Sequence, residues 1–153
     1  MIHEAVFPAL VSSLTSIRHF VSQTAREYCQ DGAFLYDLIL AVDELVTNII
    51  RYGYGQEPGK ITIRIQPEDK GLVITLIDFA HPFDPTTAPE PRLDLPLEER
   101  GVGGLGIYLA RELTDGMEYR RKSEGANELK IFKRFPQEKR IPQKGRLPLE
   151  GCS

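Results

Sequence analysis

Tryptophan is absent from this chain, and cysteine, methionine and histidine are scarce: two, two and three residues among 153. His3, His19 and His81 are scattered and suggest no zinc-type cluster. With only Cys29, in an expected helix, and Cys152, in the tail, a disulfide framework is disfavoured and a reducing cytoplasm is expected. No apolar run approaches the roughly 18 residues that span a bilayer, so no membrane association is expected. The start, Met1-Ile2-His3-Glu4-Ala5, lacks the basic and apolar regions of a secretion signal. Neither sign of charge dominates. Nineteen Lys and Arg against 22 Asp and Glu leave a formal −3, which gives no general attraction to nucleic acid or an anionic membrane. There is no P-loop Gly-Lys-Ser/Thr, no eukaryotic-type kinase signature and no internal repeat.

What is present is an ordinary globular composition, 41% hydrophobic and 27% charged, in a length that suits one domain. Ile2 to Phe7 alternates weakly as an edge strand closed by Pro8. Leu10, Leu14, Ile17, Val21, Thr24 and Tyr28 keep a helical stripe from about Ala9 to Gln30. Asp31-Gly32 interrupts it, and a second helix is expected from about Ala33 to Tyr52, stopped by Gly53 and Gly55. Lys60 to Gln66 alternates, and Leu72 to Asp78 is apolar enough to be a central strand. The turn residues of Pro67 to Gly71 join the two as a hairpin. Five prolines between Phe79 and Arg100 exclude regular structure and suggest a functional loop, such as a lid. A helix from about Leu105 to Thr114 and a hairpin, Met117 to Lys122 with Asn127 to Arg134, complete the order. The expected class is α+β: a two-layer sandwich with a mostly antiparallel mixed sheet covered on one face by about three helices. Residues 1–135 read as the domain, and 136–153, proline-rich and basic, as a disordered tail.

Three places carry chemistry. Glu44 and Asn48 lie four apart within Ala41 to Ile50, so both project from one side of an otherwise apolar helix. A carboxylate beside a carboxamide oxygen offers a proton acceptor and a Mg²⁺ ligand; a solvated pair sharing a hydrogen bond is the competing account. Asp78 ends an apolar strand, where a buried carboxylate needs a partner. An adenine amino group is one such donor, and capping of the following turn is the alternative. Gly101-Val102-Gly103-Gly104-Leu105-Gly106 matches G-x-G-x-x-G. The dinucleotide-binding reading fails, because loop precedes the glycines and a hairpin follows the helix. Glycines before a helix still let main-chain N–H groups approach phosphate, with Leu105, Ile107, Tyr108 and Leu109 as an anchoring face. A hinge or tight helix–sheet contact is the alternative.

In this order, Glu44-Leu45-Val46-Thr47-Asn48, Ile77-Asp78-Phe79-Ala80-His81-Pro82-Phe83-Asp84-Pro85 and Gly101 to Leu109 resemble the N box and two glycine boxes of the anti-sigma-factor serine/threonine kinases. That family is a branch of the GHKL, or histidine-kinase-like, ATPases with the Bergerat ATP-binding fold. The resemblance covers roughly residues 5 to 135. It implies an ATP site in which Asn48 holds Mg²⁺, Asp78 binds the adenine amino group, and Gly104 and Gly106 cradle phosphates beneath a lid. Ala80, Phe83, Gly101, Gly103 and Leu105 would complete the nucleotide-binding residues. Glu44 would be the base for a serine or threonine hydroxyl. It further implies an anti-anti-sigma (STAS) protein as substrate, a sigma factor as the sequestered partner, and a homodimer. Two departures stand out. Ala80 occupies a position where most members have glycine, and the dimerisation helices and phosphoacceptor histidine of a sensor kinase are missing. A non-catalytic partner-switching module, with structural or absent ATP, and a kinase or ATPase acting on an unrelated target are the competing readings.

Overall fold

The computed structural model describes residues 1–87, 89, 94 and 104–137. Strand β1 (His3–Pro8) alternates between half-buried and exposed side chains, as an edge strand should. The stripe that follows resolves into a short 3₁₀ turn (Val11–Ser13) and helix α1 (Leu14–Arg26), which buries Leu14, Ile17, Val21 and Ala25. Asp31 then starts a helix: its side chain accepts from the Phe34 N–H at 2.8 Å, capping α2 (Gly32–Asn48). The expected run to Tyr52 continues past Asn48 as a wider π turn (Ile49–Tyr54), ending where Gly55 adopts φ 62°.

Strands β2 (Lys60–Glu68) and β3 (Gly71–Asp78) form the expected hairpin, with a tighter turn than the sequence suggested. Pro67 lies inside β2. It can do so because β1 pairs only with residues 60 to 65, so at Pro67 the strand has β3 on one side and, among the described residues, no partner on the other to miss its N–H. Helix α3 (Gly104–Glu112) and the hairpin of β4 (Gly116–Arg121) and β5 (Asn127–Arg134) follow.

The five strands stand in the order β1-β2-β3-β5-β4, and every pairing is antiparallel. The fold is therefore α+β as expected, with β3 central. One face carries Ile61, Ile63 and Ile65 of β2, Leu72, Ile74 and Leu76 of β3, and Leu129 and Ile131 of β5, all buried. They form one core with the inner faces of α1 and α2 and with Ala110 of α3. Helix α2 packs between α1 and α3. Arg18 of α1 pairs with Asp43 of α2 at 2.6 Å. Lys133 caps the end of α3, donating to the Leu113 carbonyl at 2.7 Å.

No helix among the described residues is long and apolar enough to cross a membrane. Cys29 is fully buried beyond α1, and Cys152 lies outside the described residues. Of the expected tail, 136–153, residues 138 onward also lie outside them, as do most of the proline-rich loop and Gly101 and Gly103.

Candidate functional site

The register of the sheet brings one row of side chains to a common end: Ile61, Asp78, Asn127 and Arg121 are successive partners on β2, β3, β5 and β4. Asp78 is 4% exposed. Its Oδ1 accepts from the Ala80 N–H at 2.9 Å and from Asn127 Nδ2 at 2.8 Å. Its Oδ2 accepts nothing among the described residues. Asp78 thus holds the turn that follows, as one of the sequence alternatives had it, and it retains a buried acceptor with no donor among the described residues. Burial raises its pKa, opposed by the Asn127 hydrogen bond, the Ala80 N–H and the positive charge of Arg121.

Ala80 fits without strain. Among the described residues no non-glycine residue has positive φ, so glycine's backbone freedom is not needed there. Its methyl fills the space beside Gly53, where a Cβ would stand 2.9 Å from it. The Gly53 carbonyl accepts from the His81 N–H at 3.3 Å. The adjacent Tyr54 ties the same turn down. Its hydroxyl accepts from the Phe79 N–H at 2.8 Å and donates to the Lys60 carbonyl at 2.8 Å. The sequence reading missed Tyr54, Asn127, Tyr119 and Arg121. Polar residues closing the last hairpin were the available signal.

On the other side, Glu44 and Asn48 are both half-buried on α2. Neither side chain has a hydrogen bond or ion pair among the described residues, so the shared hydrogen bond weighed from the sequence is not formed. Glu44 lies directly against Gly106: a Cβ on Gly106 would collide with the carboxylate. Helix α2 and its π turn therefore touch both the glycine segment and the Asp78 turn. Gly104 is the first residue of α3. The anchor of α3 is Ile107 and Ala110, both buried, whereas Leu105 is 43% exposed and anchors nothing. Phe83 is likewise exposed, on the loop where Asp84 caps a short turn through Thr86. No cluster of three or more metal-ligating His, Cys, Asp or Glu occurs among the described residues, so a cation here would rely on few protein oxygens.

An antiparallel sheet layered by helices, with a strand-end carboxylate and a glycine segment joined by one polar-edged helix, defines a recognisable class. The chain belongs to the histidine kinase-like ATPase domain family, whose pattern matches residues 7–133. Over 97 residues it is 27% identical to the serine/threonine-protein kinase BtrW of Bordetella bronchiseptica, covering 63% of this chain and 68% of that protein. Over 86 residues it is 29% identical to the serine-protein kinase RsbW of Bacillus mycoides, covering 54% of each. The chain thus spans about half the length of the Bacillus relative that it matches. Among solved structures, the RsbU and RsbW domains of a Mycobacterium tuberculosis protein share the fold, with a TM-score of 0.62 at 15% identity. That match covers 88% of this chain and 32% of that one.

Proposed function

We propose that the protein is an ATP-dependent serine/threonine kinase of the anti-sigma-factor type. In this reading it phosphorylates an anti-anti-sigma protein of the STAS kind, sequesters a sigma factor, acts as a homodimer and works in the cytoplasm. Family membership and relatives named as serine kinases support it. One observation carries it: a single helix with its π turn contacts both chemical halves, Glu44 against Gly106 and Gly53 against Ala80 beside Asp78.

The residues suit the nucleotide. The unfilled Oδ2 of Asp78 would accept from the adenine amino group. Main-chain N–H groups at Gly104 and Gly106, with Gly101 and Gly103, would face the phosphates. The Asn48 carboxamide oxygen would hold Mg²⁺, which supplies neutralisation of phosphate charge when bound. Glu44, with no ionic partner among the described residues, is available to take the proton lost by a serine or threonine hydroxyl as that oxygen bonds to phosphorus and ADP departs. Most of the rate enhancement in such transfers comes from positioning and charge neutralisation, so one base and one metal ligand suffice.

The test pairs calorimetry with radiolabelled γ-phosphate transfer to candidate STAS proteins. Glu44→Ala should bind ATP normally and lose transfer by about 10²-fold or more, the scale of general-base catalysis. Asn48→Ala should weaken both when Mg²⁺ is present. Absence of ATP binding to the unaltered protein ends the proposal; normal transfer by Glu44→Ala removes only its role as base.

A further inference from the structure

The buried network around Asp78 is more elaborate than holding one turn requires. We infer that Asn127 is a positioning residue that makes the site selective for a base with an exocyclic amino group, by occupying one oxygen of Asp78 and leaving only the other for ligand. This rests on the nucleotide-binding reading above.

The orientation of the Asn127 carboxamide follows from its neighbours. Its Oδ1 accepts from Tyr119 Oη at 2.6 Å and from Arg121 Nη1 at 2.9 Å. Arginine has only donors, so the carboxamide oxygen must face it and the nitrogen must face the other way. That nitrogen spends one proton on Asp78 Oδ1 at 2.8 Å and the other on the Ala80 carbonyl at 3.0 Å. Both donors and both acceptor positions of Asn127 are thereby used, at 4% exposure. With the Ala80 N–H on the same oxygen, Asp78 Oδ1 has two donors. An ionised carboxylate can only accept, so the bare Oδ2 demands a donor from whatever base lies beside it. A 6-amino purine supplies one there. A 6-oxo purine would set oxygen against oxygen and leave a buried acceptor unpaired.

The charged and titratable groups around this point are Arg121, which also reaches the Ala80 carbonyl at 3.4 Å, Tyr119, and Asp84 acting on Tyr119. Burial already pushes the Asp78 carboxyl up, and the Asn127 hydrogen bond is the largest opposing influence. Asn127→Asp replaces the donor by a second acid, so the pair shares a proton and Asp78 titrates at higher pH.

The experiment measures ATP and GTP affinity by calorimetry across pH for the unaltered protein, Asn127→Asp and Asn127→Thr, which keeps a hydroxyl donor. The Asp78 carboxyl is followed in each nucleotide-free protein by ¹³C NMR. The unaltered protein should prefer ATP. Asn127→Asp should shrink the ATP-to-GTP affinity ratio by about tenfold or more, the scale of one hydrogen bond to a charged group. As pH is lowered, its ATP binding should also be lost at a higher pH than in the unaltered protein, with Asn127→Thr intermediate. Equal loss for both nucleotides with an unmoved pH profile would overturn the inference, leaving Asn127 merely structural. An Asp78 titration that does not shift in Asn127→Asp would overturn it independently of nucleotide. Failure of the unaltered protein to bind ATP would instead remove the proposed function, and the selectivity with it.

Discussion

At Gly106 one added methyl would meet the Glu44 carboxylate, the far end of a flexible side chain with no hydrogen bond or ion pair among the described residues. Gly106→Ala should therefore swing Glu44 away. Moving that free end is cheap for the fold, so the urea midpoint should shift by no more than about 1 kcal/mol at unchanged m, while phosphoryl transfer falls because the carboxylate leaves its place. This contact could not be seen in the sequence, although both residues could be singled out. Glu44, Asn48 and Asp78 stood out because each breaks a local apolar pattern. Asn127 did not: its meaning depends on a partner 49 positions away, and nothing local distinguishes it from a turn residue. Leu105 misled for a related reason, since apolar character near a helix start does not say which way the side chain faces.

The elements themselves were largely legible, because their periods are strong: alternation in β2, a three-and-four stripe in α2. Their ends were less so. The π turn at Ile49–Tyr54 has no sequence period of its own, and it is what carries Tyr54 under the Asp78 turn. Tyr54→Phe keeps the ring but removes the hydroxyl from the Phe79 N–H and the Lys60 carbonyl. Loss of such satisfied backbone groups should cost about 1–3 kcal/mol in denaturant unfolding. It should also raise amide exchange at Phe79 while leaving β4 and β5 unaffected, because the freed groups lie on the other side of β3.

For the molecule as a whole, the class followed from the order of elements and the central strand from its apolar run, whereas the insertion of β5 between β3 and β4 did not, since no local signal reports strand order. The sheet face opposite the helices has its own electrostatics. Glu128, 6% exposed, has its pKa lowered chiefly by its bond to Lys122 at 2.9 Å, opposed by burial, with Lys130 also helping. A carboxylate lowered on folding adds stability above its ordinary pKa, and that stability is lost as pH falls through the folded value. Melting temperature should thus drop as pH falls from about 5 through the carboxylate range, and the drop should be shallower in Lys122→Ala. Elsewhere the halves of the site meet through hydrocarbon, where Gly53 gives room to the Ala80 methyl. Descendants of this chain are thus bound to a trade: a bulkier side chain at either of these two positions can be inherited only alongside glycine at the other.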